Sequence, residues 1–288
     1  MSAVVEQAAG GALAPTRRRS RSATLSIGAV LVGLVVLVAV VSLVWLPYAP
    51  SDISGSRLEG PGAAHLLGTD KLGRDLLTQL MIGARIALAV GIGSVAIGAF
   101  IGVTLGLLAA FASTWLDDTI SAALDIVIAF PTLLLAMLIV AAQGASLGSA
   151  VLAIGLAMSA VVARLTRVLA KRVLSQQFVT AARTSGTGWL GIVGRHILPN
   201  IWPTLSVNLA LQFGVAVLAE ASLSYLGLGA PPPNASWGRL LQEAQGTVST
   251  APVGAIAPGI ALVVLVIGVN LVADGLRDVA DPTRRRAR

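Results

Sequence analysis

The 288-residue chain is 56% hydrophobic and 11% charged, with a net charge of +7 and a mean hydropathy of +0.86. Soluble domains hold about 25% charged residues and a membrane span takes about 20 apolar ones, so this reads as a polytopic membrane protein with no room for a separate catalytic domain. The absence of cysteine excludes disulfides, thiolate metal sites and cysteine nucleophiles, and the two histidines, His65 and His196, stand too far apart to seed a metal cluster.

Residues 1–24 are small, polar and arginine-rich (Arg17, Arg18, Arg19, Arg21) and are expected to form a cytoplasmic tail. The uncharged run from Leu25 to Leu46 exceeds the roughly 7–15 apolar residues of a signal-peptide core and no small-residue cleavage pattern follows it. It reads as a retained first span, 25–47. The chain then turns polar, and 48–85 is expected to be a long extracytoplasmic loop, followed by a core of five further helices over 86–276. No charge occurs from Ile86 to Leu116, and "STWLDD" at 113–118 offers helix caps and acids for a first turn, where they oppose the macrodipole. The uncharged stretch from Ile126 to Ala163 is too long for one helix; "QGASLGS" at 143–149 supplies a turn, and Pro131 is expected to kink the span before it. Gly91, Gly98, Gly102 and Gly106, at three- and four-residue spacing, favour close helix packing over phosphate binding.

Basic residues return at Arg164, Arg167, Lys171, Arg172, Arg183 and Arg195. Within them lies "QFVTAARTSGTGWLGIVGRHILPN" (177–200), part of a cytoplasmic loop expected over about 171–200. Helix connections usually take about 2–8 residues, so one of this length is expected to fold and to meet a partner. Its pattern reads as helix, glycine turn, short helix, then a stop at Pro199. A basic amphipathic helix lying on anionic lipid explains the same composition. The chain is again apolar from Ile197 to Leu228, except for Glu220, and from Ala244 to Ala273, with "GLGAPPPNASWGRLLQEAQG" between them as a Pro/Gly-rich loop. Six transmembrane helices in an all-α protein result, closed by a cytoplasmic tail over 277–288. Asp274, Arg277, Asp278 and Asp281 give i,i+3 and i,i+4 pairs at its start that read as a water-facing cap. With both termini inside, fifteen Lys and Arg flank the spans on the inner side against five outside (Arg57, Lys71, Arg74, Arg85, Arg239), as the positive-inside rule asks. The basic excess is topogenic, and no nucleic-acid partner is inferred.

Two acids lie within the expected spans. Asp125, about two turns into its span, fits an interfacial position better than a buried one, whereas Glu220 is deeper. Both are carried as candidates for a translocation pathway, because an ionisable group in a span faces a cavity or a partner more readily than lipid. A structural bond to the neighbouring "SLSYLGLG" turn explains Glu220 equally well.

The 177–200 segment resembles the cytoplasmic loop signature of binding-protein-dependent ABC importer permeases: EAA, three residues, glycine, nine residues, then I-x-L-P. Here Thr180, Ala181 and Ala182 are followed by Gly186 and then by His196, Leu198 and Pro199, with both spacings kept. Two positions depart: Thr180 stands where the family has an acid, with Arg183 close by to take over a charged contact, and His196 stands where the general pattern has isoleucine, although "RHILPN" is typical of the peptide and nickel branch. "HLLGTDKLGRDLLTQLMIGARIAL" (65–88), "LDIVIAFPTLLLAM", "LAEASLSYLGLGAPPPNASWGRLL" and "NLVADGLRDVADP" are similar to other stretches of dipeptide and oligopeptide permeases. An N-terminal span before a long outer loop looks like the C-type subunit of the permease pair.

The resemblance implies a non-enzymatic subunit, consistent with the lack of a "GxxxxGK" nucleotide motif. The expected partners are a second homologous permease, two nucleotide-binding subunits that carry the ATP and Mg, and an external solute-binding (lipo)protein, in a bacterial plasma membrane. Thr180, Ala181, Ala182, Arg183, Gly186, His196, Leu198 and Pro199 would form the coupling loop, with no cofactor or metal in this chain. The expected cargo is a di- or oligopeptide, or alternatively nickel or another chelated metal; an intramembrane enzyme is the rival of a different class.

Overall fold

The computed structural model describes residues 23–231 and 234–280. The arginines of the N-terminal tail, Asp281 and the C-terminal arginines after it lie outside the described residues. The elements of the described residues are helical, with one isolated β-bridge between Thr69 and Asp75: α1 (Ala23–Val44), α2 (Leu76–Phe111), α3 (Thr114–Ala129), α4 (Thr132–Gln143), α5 (Leu147–Leu174), α6 (Gln177–Thr184), α7 (Trp189–Ile192), a π-helical turn (Val193–Ile197), α8 (Leu198–Tyr225), α9 (Trp237–Ala244) and α10 (Val253–Ala280). Five helical stretches are long and apolar enough to cross a membrane, and the pair α3–α4 makes a sixth if it is counted as one bent span.

Packing is organised around α2, whose 36 residues extend about 54 Å. Asp75 caps it by accepting from the Thr78 backbone N–H at 2.7 Å. The glycine ridge then lies against α5: a Cβ on Gly102 would come within 2.6 Å of the Ser159 carbonyl oxygen, and one on Gly106 within 2.5 Å of that of Ala163. Gly91 turns a different way and makes room for the Phe213 ring of α8. Part of the apolar surface of α2 joins α4, α5 and α8 in a buried cluster built on Ile86, Val90, Ile154 and Leu223. α1 packs on α10 by the same small-residue device, Gly28 sitting against the Gly268 carbonyl.

Several expected boundaries shift. The outer loop ends at Asp75 and not at residue 85, so Arg85 lies inside α2, where its Nε donates to Ser42 Oγ of α1 at 2.6 Å. Arg164, Arg167, Lys171 and Arg172 belong to α5, which shortens the cytoplasmic connection. Pro131 does more than kink: Phe130 is extended (φ −78°, ψ 133°), as the residue before proline prefers, and α3 and α4 meet at 89°. The Pro/Gly-rich loop contains a helix, α9, with Ser236 as N-cap accepting from Arg239 N at 3.2 Å. α10 continues past residue 277 to Ala280, carrying Asp274, Arg277 and Asp278 on its last turns.

The outer loop is folded. His65 Nδ1 lies 3.0 Å from Asp75 Oδ1, both groups buried, with the Tyr48 ring 4.7 Å away. Arg74 bridges Asp70 at 2.6 Å and Glu243 of α9 at 2.9 Å, and Trp237 Nε1 donates to the Leu80 carbonyl at 3.0 Å. These contacts put the 45–75 and 226–252 connections on one face of the protein.

Candidate functional site: an exposed helix beyond the last turn of α5

The 177–200 segment forms a small unit fixed by its own apolar face. Val179 of α6 is fully buried and clusters with Ala170 of α5, Ile192 of α7, and Ile197 and Ile201 further along; Leu107 and Phe111 at the end of α2 pack on this cluster. Trp189 meets Phe111 edge-on, with ring centroids 6.3 Å apart. The opposite face of α6 is open: Thr180, Ala181, Arg183 and Gly186 are exposed and Ala182 is half-buried.

Gly186 ends α6. Its φ of +82° is a left-handed conformation that glycine adopts without a side-chain clash. The Gly186 N–H donates to the Arg183 carbonyl and the Thr187 N–H to the Ala182 carbonyl, both at 3.0 Å, which is the paired arrangement of a Schellman C-cap. A Cβ on Gly186 would have nothing within 4 Å, so the requirement is conformational and not a matter of space.

Pro199 does not stop a helix, contrary to expectation. Trp189 to Tyr225 forms a continuous helical run, with Pro199 in the first turn of α8. The π turn makes this possible: the Leu198 N–H reaches five residues back to the Val193 carbonyl, so the ladder has already shifted where proline lacks a donor. His196 is half-buried within the π turn, its ring 5.9 Å from that of Phe178 on α6, and its carbonyl accepts from Asn200 Nδ2 at 2.6 Å. Leu198 packs partly on the Val179 cluster. The eight sequence-selected residues are thus gathered at one end of the molecule, although Pro199 serves as the start of a span.

A neighbouring group was not foreseen. Asp117, in the first turn of α3, accepts from both arms of Arg167 at 2.5 and 2.7 Å and is also paired with Lys171. The buried carboxylate ties α3 to the turn of α5 that leads into α6. The i,i+4 spacing of Arg167 and Lys171, with an acid starting a nearby helix, is the sequence signal that could have found it.

Asp125 and Glu220 part company. Glu220 is 2% exposed and accepts from Ser224 Oγ of the same helix at 2.6 Å, which favours its structural reading. Asp125 is open, and it lies three turns into α3, not two, paired with Arg164 of α5 at 3.4 Å.

A family profile described as "Binding-protein-dependent transport system inner membrane component" matches residues 102–286. The chain is 38% identical over 258 residues to the dipeptide transport system permease protein DppC of Alkalihalophilus pseudofirmus, covering 89% of this chain and 84% of that one. It is 40% identical over 260 residues to the glutathione transport system permease protein GsiD of Pectobacterium atrosepticum (88% and 86% covered). It is 38% identical over 270 residues to the di/tripeptide transport system permease protein DppC of Pseudomonas aeruginosa (91% and 89%). Among solved structures, an inward-facing MetNI methionine ABC transporter matches with a TM-score of 0.60 at 22% identity, over 70% of this chain and 97% of that one, a likeness of fold.

Proposed function

Because the chain belongs to the binding-protein-dependent transport system inner membrane component family, we propose that it forms half of the translocation pathway for di- or oligopeptides in an ATP-driven importer. It is a multi-pass permease subunit and not an enzyme. The peptide and glutathione names of its relatives favour a peptide cargo over nickel. In this reading a second permease completes the pathway, two nucleotide-binding subunits hold ATP and Mg, an external binding protein delivers solute, and the assembly sits in a bacterial inner membrane with α6 on the cytoplasmic side.

One observation carries the coupling role: α6 buries Val179 while presenting Thr180, Ala181, Arg183 and Gly186 outward beyond the end of α5. A short helix rigidly seated on a span and open on its other face can pass a partner's movement to that span. Closure of the nucleotide-binding subunits on ATP would move α6, and α5 and α8 with it, provided that the loop binds the partner differently in the two states.

The test is Gly186→Arg. It adds a bulky side chain at a left-handed position, on a surface in water, so expression and membrane insertion should persist. Uptake, solute-stimulated ATP hydrolysis and co-purification of the ATPase subunit should fall together. An interfacial helix on lipid predicts the reverse pattern, with transport intact in Gly186→Arg and weakened by Arg183→Gln with Arg195→Gln. Normal uptake with normal co-purification would overturn the coupling role.

A further inference from the structure

Two acids of α3, Asp117 and Asp125, pair with basic residues of α5, and the two arrangements differ in kind. Asp117 is buried and gripped by both arms of Arg167, a saturated, structural arrangement. Asp125 and Arg164 share a single contact of 3.4 Å, longer than a well-formed hydrogen bond, and their side chains are 56% and 59% exposed. Arg164 is the first charge of α5, after 17 uncharged residues from Leu147 to Ala163, so it stands at the end of the apolar stretch nearer α6. A charged pair bordering an apolar stretch does not face hydrocarbon at low cost; it faces water or protein. Its flanks are apolar and open: Ala122 and Ile126 on α3 and Val161 and Val168 on α5 are exposed beside it.

We propose that Asp125 and Arg164 form a weak binding site for the free termini of a zwitterionic solute. The solute ammonium would pair with the Asp125 carboxylate, and its carboxylate with the guanidinium fork of Arg164, whose planar donors match a carboxylate two at a time. Each charge exchanges its present partner for one of the same sign, so net charge is unchanged and neither residue is left uncompensated. The resident pair competes with the solute and limits how tightly it is held, as a site along a conduction path requires. This inference rests on the peptide reading above and sharpens it: recognition in the membrane would use the two charges every unmodified peptide carries and ignore its side chains.

The test uses the whole complex in nanodiscs, with its binding protein, and exploits the lack of native cysteine in this chain. Ala122→Cys and Val161→Cys should each react with a charged thiol reagent, read on this chain by mass. Dialanine and trialanine should slow that reaction severalfold, whereas N-acetyl-dialanine and dialanine amide should not. Arg164→Gln should raise the dialanine concentration needed for protection by about tenfold or more, as loss of a charge-assisted hydrogen bond implies. The exchanged pair Asp125→Arg with Arg164→Asp should keep both assembly and protection; a purely structural ion pair would give assembly without protection by peptide in any variant.

Unreactive cysteines in the complex would place the pair against lipid or the second permease and overturn the inference. Labelling that free peptides do not slow, in a complex that transports them, would overturn it too. A complex that transports neither dialanine nor trialanine would instead bring down the peptide reading and the site with it.

Discussion

At the level of single residues, Gly186 and His65 each hold a conformation that chemistry makes conditional. Any L side chain at Gly186 meets the left-handed penalty, about 1 kcal/mol for alanine. Gly186→Ala should therefore loosen the Schellman cap, and amide exchange at Ser185–Thr187 in the assembled complex should quicken about fivefold. Unchanged exchange would mean the cap is held from outside by a partner. His65 makes a pH prediction. Its hydrogen bond to Asp75 raises its pKa above the ordinary 6.5, against the opposing effect of desolvation. A raised folded pKa contributes stability that is complete below the unfolded value near 6.5 and disappears as pH climbs through the folded value. Tryptic cleavage after Arg57 and Lys71, corrected with an unfolded control, should thus be slower at about pH 6 than at about pH 9, and His65→Gln should abolish the difference.

Between elements, the decisive contacts are those of small residues. Gly102→Leu would force a side chain into the Ser159 carbonyl and Val162, separating α2 from α5. The melting temperature in detergent should drop markedly, in line with the roughly 1–3 kcal/mol of overpacking, whereas Gly33→Leu on α1, with nothing within 4 Å, should leave it unmoved. The same contrast explains what the sequence made legible. Spacing alone flagged Gly98, Gly102 and Gly106 as a packing ridge, and "QGASLGS" as a turn, because both depend on local chemistry. The C-cap at Gly186 and the break near Pro131 were legible for the same reason. The start of α2 at Leu76 was not, since Arg85 looks like a loop residue until Ser42 of α1, far away in sequence, is seen to accept from it. α9 was masked by the prolines that precede it, and the π turn by the assumption that Pro199 must end a helix. Of the candidate site, the glycine and the exposed helix could be read directly; the Asp117 tie to α5 needed the fold.

For the molecule as a whole, the 45–75 and 226–252 connections share one face, and α6 follows an odd number of crossings away from them if the α3–α4 pair counts as one. Reporter fusions at Asp52 and Asn234 should accordingly report outside, and fusions at Thr187 and Arg288 inside. A cytoplasmic signal at Asn234 would break the six-crossing arrangement. The uninterrupted length of α2 bears on how such a chain can vary over generations. One end is clamped into the outer loop through Asp75, the other is packed against the α6–α7 unit through Phe111, and the glycine ridge between them is keyed to the backbone of α5. Inserting one residue before Gly98 would turn everything after it by about 100°, swinging the ridge off α5 and Phe111 off Trp189. Heritable changes in length should therefore be admitted at an open turn such as that of Gly144 and Ala145 and purged from α2 itself, whatever residue is added.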